Sequence, residues 1–198
     1  MNYLAHIFLS RGNRQLQVGN FIGDFVKGKS HENYPPEIQR GILLHREIDR
    51  FTDSHPAFLE TVEMLRPVFN RYSGIVADMY FDHFLASDFK KYHPSKNSSS
   101  NSSSNLRLFS YNFYLSALLN YPHLPHRVKG FIFHFIGTNR LLKYSTKEGL
   151  HQSLQIMSHY KSSAINPNLS ISFLQANEEA LKTLFERFMP EVIVRFKR

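Results

Sequence analysis

The 198-residue chain has no cysteine and no tryptophan. The first absence excludes disulfides and thiolate zinc sites, so any bound metal must take oxygen and nitrogen ligands. The second leaves eighteen Phe and ten Tyr to supply the aromatic packing. Long apolar runs are missing too. The most hydrophobic window, residues 131–136, is far too short to span a bilayer and is interrupted by His134. No basic lead precedes the short apolar stretch within residues 1–10, so a secretory signal is not expected and a cytoplasmic location is. Without cysteine the covalent options narrow to Ser or Thr, and neither a Gly-x-Ser-x-Gly elbow nor a His-Glu-x-x-His segment occurs.

Acids are scarce beside bases, 16 Asp and Glu against 24 Lys and Arg, for a net charge of +8 with neutral His. That balance favours an acidic partner. The excess is spread along the chain, however, and no dense basic tract marks a nucleic-acid arm. Few stretches alternate at period two. Apolar spacing instead predicts helices over 2–9, 19–27, 36–52, 57–72, 75–87, 106–120, 125–142, 146–157 and 170–189. Pro35, Pro36 and Pro56 stand at helix entries, where proline suits the first turn. Residues 97–105 contain only Ser and Asn and are expected to form a flexible loop. The expected architecture is one all-α domain over residues 1–198 with that loop inserted in it, since the length and 42% hydrophobic content suit a single core.

What the chain does have is a series of acidic and imidazole side chains at helical spacing: Asp24, then His45, Asp49 and Asp53, then Asp78, Asp82 and His83. Positions four apart share a helix face, so His45 with Asp49, Asp49 with Asp53, and Asp78 with Asp82 can each aim two donors the same way. This is the ligand chemistry of a hard or borderline divalent cation and suggests metal-assisted hydrolysis. The cluster around His45 taken alone also reads as an ion-paired solvated helix, in which Arg46 and Arg50 form a basic row able to hold a phosphate. The cluster at 78–85 shifts the balance, because its acids lie among Met79, Phe81, Phe84 and Leu85, where an uncompensated carboxylate is costly. Asp24 follows Asn20 by one turn between Gly19, Gly23 and Gly28, which permit close backbone approach. His6, between Leu4 and Ile7, reads by itself as a core histidine, as does His134 among its aromatic neighbours.

The ordered series Asn2-Tyr3-Leu4-Ala5-His6, Gly19-Asn20 with Asp24-Phe25-Val26-Lys27-Gly28, Gly41-Ile42 with His45-Arg46, Ile48-Asp49 and Thr52-Asp53, and Asp78 with Asp82-His83-Phe84-Leu85 resembles the bacterial acyl carrier protein phosphodiesterase family. That resemblance implies a divergent, all-helical member of the HD phosphohydrolase superfamily. It implies hydrolysis of holo acyl carrier protein to the apo protein and 4′-phosphopantetheine, with Mn²⁺ or Mg²⁺ as cofactor and an acidic protein as substrate. Carried onto this chain, Asp24, His45, Asp49, Asp82 and His83 surround the metal, with Asp78 bridging or orienting a ligand. Arg46 faces the phosphate, and Asp53 or His6 protonates the leaving oxygen or orients water. Two readings compete: an HD-type hydrolase of a nucleotide or other small phosphoester, and a non-catalytic basic module that binds acyl carrier protein or nucleic acid.

Overall fold

Short polar caps and prolines divide the chain into many brief helices. The computed structural model describes residues 2–10, 12–93 and 102–196, and among them are thirteen α-helices and no strand. They are α1 (Tyr3–Phe8), α2 (Arg14–Ile22), α3 (Pro36–Ser54), α4 (Pro56–Phe69), α5 (Ser73–Ser87), α6 (Phe89–Tyr92), α7 (Ser102–Leu119), α8 (His126–Lys129), α9 (Ile132–Gly137), α10 (Arg140–Lys143), α11 (Lys147–Tyr160), α12 (Pro167–Ala176) and α13 (Glu178–Phe196). Asn13, Thr146 and Asn166 accept backbone N–H bonds at the starts of α2, α11 and α12, and proline opens α3, α4 and α12.

Helix α5 is the centre of the fold. It buries residues almost all round, from Val76 and Ala77 to Leu85 and Ala86, as a helix enclosed by neighbours must. Helices α1, α4, α7, α11 and α13 pack on it. Its Phe81 meets Phe185 of α13 edge-on at 5.4 Å, and Phe21 of α2 meets Phe113 of α7 at 5.1 Å. On α3 the stripe Ile38, Gly41, Ile42, His45, Ile48 and Thr52 is buried at three- and four-residue spacing. Against it runs α2, and the two backbones nearly touch. A Cβ on Gly19 would lie 2.1 Å from the Ile38 carbonyl oxygen, and one on Gly41 would lie 2.3 Å from that of Leu16.

The all-helical expectation holds, while several boundaries move. Helix α2 starts at Arg14 rather than residue 19, because Asn13 caps it, and gives way to a 3₁₀ turn at Gly23–Phe25. The predicted helix over 125–142 is three short ones, broken near Gly130 and at Asn139, whose φ of +47° is left-handed. The stretch 170–189 breaks at Asn177 between α12 and α13. Of the Ser/Asn segment, residues 102–105 belong to α7 and are not loop, and residues 97–101 lie outside the described residues. No helix among the described residues is long and apolar enough to cross a membrane.

Candidate metal centre

The close crossing of α2 and α3 brings Asn20 beneath two imidazoles. Asn20 is fully buried. Its amide nitrogen donates to the His6 carbonyl oxygen at 2.8 Å and to Ser10 Oγ at 2.9 Å, which turns its Oδ1 to His6 Nδ1 at 2.8 Å. Its backbone carbonyl oxygen meets His45 Nδ1, also at 2.8 Å. Facing an oxygen that can only accept, each neutral ring keeps its proton on Nδ1 and its lone pair on Nε2. One asparagine therefore sets the tautomer of both histidines, the orienting role that second partners play around metal-binding imidazoles. The rings stack, centroids 4.0 Å apart and 19° from parallel. Gly23 makes room for this, since a Cβ there would lie 2.3 Å from His45 Cγ.

Both Nε2 atoms point toward Asp49, one turn beyond His45 on α3. His6 Nε2 lies 3.1 Å from Asp49 Oδ1, and His45 Nε2 lies 3.1 Å from Asp49 Oδ2 and 3.6 Å from Asp24 Oδ1. The three residues His6, His45 and Asp49 present ligand atoms within 4.8 Å of one another. Histidine nitrogens are buried here, while the Asp49 side chain is 37% and the Asp24 side chain 65% exposed, so the centre opens to solvent on its acidic side. His45 Nε2 is buried without a hydrogen bond of good geometry although two carboxylates stand close, so it can serve a cation as well as a proton. Neighbouring ligands of an octahedral ion with bonds of about 2.1 Å lie about 3 Å apart, so these separations suit a small divalent cation. The donor set of two imidazoles and carboxylates suits a borderline divalent cation.

The electrostatics agree. Burial lowers His6 to about 4, against the hydrogen bond with Asp49, and the nearby His45 adds to the depression. Burial also pushes His45 down, but Asp24 and Asp49 outweigh it and raise that ring to about 9. Burial would raise Asp49, yet both imidazoles hold its carboxyl well below the usual range. The His45 ring lowers Asp24 as well. The carboxylates that favour a proton on the His45 ring would equally favour a cation there, so the two compete for one place.

The other expected residues divide. Asp82, fully buried, accepts from the backbone N–H groups of Leu4 at 2.8 Å and Ala5 at 3.0 Å. It holds the start of α1 from across the core, each oxygen accepting one orphan donor of that helix, and it is not among the clustered ligand atoms of His6, His45 and Asp49. Burial pushes its carboxyl up to about 7, while those two donors pull it down. His83 is likewise held away from that cluster. About 100° around α5 from Asp82, it uses Nδ1–H on the Tyr144 carbonyl oxygen at 2.7 Å, and the charges acting on it are Glu178, Lys147 and Asp88, none of them part of the centre. Asp78 is half-buried one turn before Asp82, close enough for the charges of Asp49 and Asp53 to add to the rise that burial imposes. Asp53 is exposed, its carboxyl raised by partial burial and by Asp49. Arg46 donates to the Val26 and Gly28 carbonyl oxygens at 3.0 and 2.8 Å, fastening the turn that carries Asp24.

Sequence reasoning passed over Asn20 as an organiser and read His6 by itself as a core residue. The available signal was the helical register of Gly19, Asn20 and Gly23 against Gly41 and His45, two small-residue steps that only a close helix pair needs.

Comparison with known proteins bears on this centre. The family model described as acyl carrier protein phosphodiesterase matches residues 1–192. A Yersinia pestis protein named acyl carrier protein phosphodiesterase is 28% identical over 193 residues, covering 98% of this chain and 96% of that protein. Proteins of the same name from Escherichia coli strains, including E24377A and HS, are 37% identical over 94 residues, about half of each chain (48% and 49%). No solved structure matches the chain.

Proposed function

The chain belongs to the acyl carrier protein phosphodiesterase family, and from that premise we propose that it hydrolyses the phosphodiester of holo acyl carrier protein, releasing 4′-phosphopantetheine and the apo protein. The observation that supports this most is the convergence of two fixed imidazole Nε2 atoms on one half-exposed carboxylate. His6, His45 and Asp49 would hold Mn²⁺ or Mg²⁺, with Asp24 on the open side. When bound, the cation supplies positive charge to a phosphate oxygen and acidifies the attacking water.

The chain's own residues do the rest by position. Asn20 keeps both rings in the ligating tautomer, and Asp82 holds the start of α1 so that His6 stays in register. As water adds to phosphorus, the bond to the serine oxygen breaks, and that oxygen needs a proton. Asp53, one turn beyond Asp49 and with a raised carboxyl, is the donor proposed here, since His6 faces Asp49 instead. Arg46 orders the Asp24 turn beside the place the phosphate would take. The net +8 suits an acidic protein substrate met in the cytoplasm, and the all-helical fold accords with a divergent HD-type hydrolase. Mass spectrometry of holo acyl carrier protein incubated with this protein and Mn²⁺ tests the reading: the apo mass should appear, and should vanish with EDTA or Asp49→Asn. Persistence of the holo mass with Mn²⁺ demonstrably bound would overturn it.

A further inference from the structure

Far along the chain from the residues of the centre, α9, α10 and α11 line an open cleft of about 500 Å³. Its walls carry Arg140, Lys143, His134, His159, Thr138 and Gln152, and no carboxylate lines it. Arg140 is the unusual member. It is 8% exposed, and its hydrogen bond is to the neutral Ser153 Oγ at 3.0 Å, a hydroxyl that itself donates to the Gly149 carbonyl oxygen. Arg140 forms no ion pair with any described residue. The titratable groups that feel its charge include Tyr3, Tyr114 and Tyr144, phenols that burial raises and so keeps neutral.

The guanidinium has no carboxylate beside it, and one hydrogen bond leaves most of its five N–H donors for solvent or a ligand. Lys143 stands three residues on, on the same face of α10, bonded only to the neutral amide oxygen of Gln152 at 2.6 Å. The turn that aims this pair is fixed: Asn139, in the left-handed region, accepts from the Tyr114 hydroxyl at 2.9 Å, and that hydroxyl accepts from Leu141 N–H at 3.1 Å. Two cations held on one helical turn, one of them buried, lack only an anion between them.

We propose that this cleft is an oxyanion site, in which the Arg140 fork and the Lys143 ammonium grip a phosphate or carboxylate group with Thr138 and the two imidazoles at its rim. Two sources offer that chemistry: a free phosphate group and an acidic side chain of the protein substrate. Only the second rests on the proposed activity.

Calorimetric titration with inorganic phosphate in EDTA, using the wild type, Lys143→Gln and Arg140→Lys, tests the first source. Saturable one-to-one binding, weakened at least tenfold by both variants, identifies a free phosphate as ligand. Arg140→Lys keeps the charge and removes the fork, so a loss there in a variant with unchanged thermal unfolding is not a folding defect. If phosphate does not bind, the same proteins carrying Asp49→Asn are titrated with holo acyl carrier protein, and a tenfold loss in Lys143→Gln assigns the cleft to a carboxylate of that protein. Phosphate binding indifferent to both variants would overturn the proposal, as would absent phosphate binding with carrier-protein affinity that ignores Lys143. A wild-type chain that binds no carrier protein would instead count against the proposed activity, and with phosphate also unbound it would overturn the cleft as well.

Discussion

His45 and His83 are buried to nearly the same degree, 5% and 4% exposed, and are held in the same manner. Each directs Nδ1 at a backbone carbonyl oxygen, that of Asn20 at 2.8 Å and that of Tyr144 at 2.7 Å. Their Nε2 sides differ. Around His45 stand Asp49 and Asp24, and the ring rises to about 9. Burial dominates at His83 and lowers it, with its ring against Phe84 at 5.6 Å. A fixed tautomer in the core is a structural device common to both, and carboxylates stand beside the second nitrogen of His45 alone.

The sharpest break in that comparison is the loss of the ligands themselves. His45→Ala and Asp49→Asn should each lower turnover of holo acyl carrier protein by at least about 10³-fold, the scale at which a group acting on the charged transition state is felt. Mn²⁺ affinity, read by electron paramagnetic resonance, should fall with it. Retention of both in Asp49→Asn would remove this residue from the centre.

Next in size is Asp82, which holds the start of α1, the helix that carries His6. Asp82→Ala strands the Leu4 and Ala5 N–H groups in the core and leaves the start of α1 with the Asn2 side chain on Tyr3 N–H. The relief of a buried charge offsets part of that, leaving an expected loss of about 2–4 kcal/mol in urea unfolding. Asp82→Asn, which keeps one acceptor, should recover about half. Turnover per folded molecule should fall because His6 rides on α1. A variant as stable as the wild type would sink the capping role.

These cases show what was legible in the sequence. Helical content, and the proximity of His45 and Asp49, follow from period and spacing, which are local properties of one helix. For Asp82 and His83, about 100° apart on one helix, the same criterion does not show the partner that each finds in a distant segment. Asn20 orients both rings through a crossing that depends on Gly19 meeting Gly41. The breaks at Asn139 and Asn177 were equally hidden, since apolar residues on both sides keep a helical rhythm across them.

A smaller effect separates the two histidines by pH. In metal-free protein the His45 value of about 9 lies above the ordinary 6.5. Its protonation therefore stabilises the fold fully below pH 6.5 and ceases to as pH rises through 9. Since Asp49 and Asp24 are 37% and 65% exposed, solvent screening reduces the contribution to about 1–2 kcal/mol. Urea midpoints in EDTA should fall between pH 6.5 and 9.5 in the wild type and change less in His45→Gln. Cation binding displaces the same proton, so Mn²⁺ affinity should rise over that range. Midpoints that stay flat in the wild type would contradict the shared proton.

The least effect is expected at His83, and it is the control on which the comparison depends. His83→Gln gives up the Nδ1–H bond to the Tyr144 carbonyl oxygen, although the longer amide can restore it in part. A cost of about 1 kcal/mol in stability follows from one weakened buried hydrogen bond. Mn²⁺ affinity and turnover should remain close to the wild type, since no ligand atom of the centre moves with it. If His83→Gln instead abolished cation binding as His45→Ala is expected to, the carboxylates would not be what distinguishes the two rings, and the ligand set would have to be redrawn around α5.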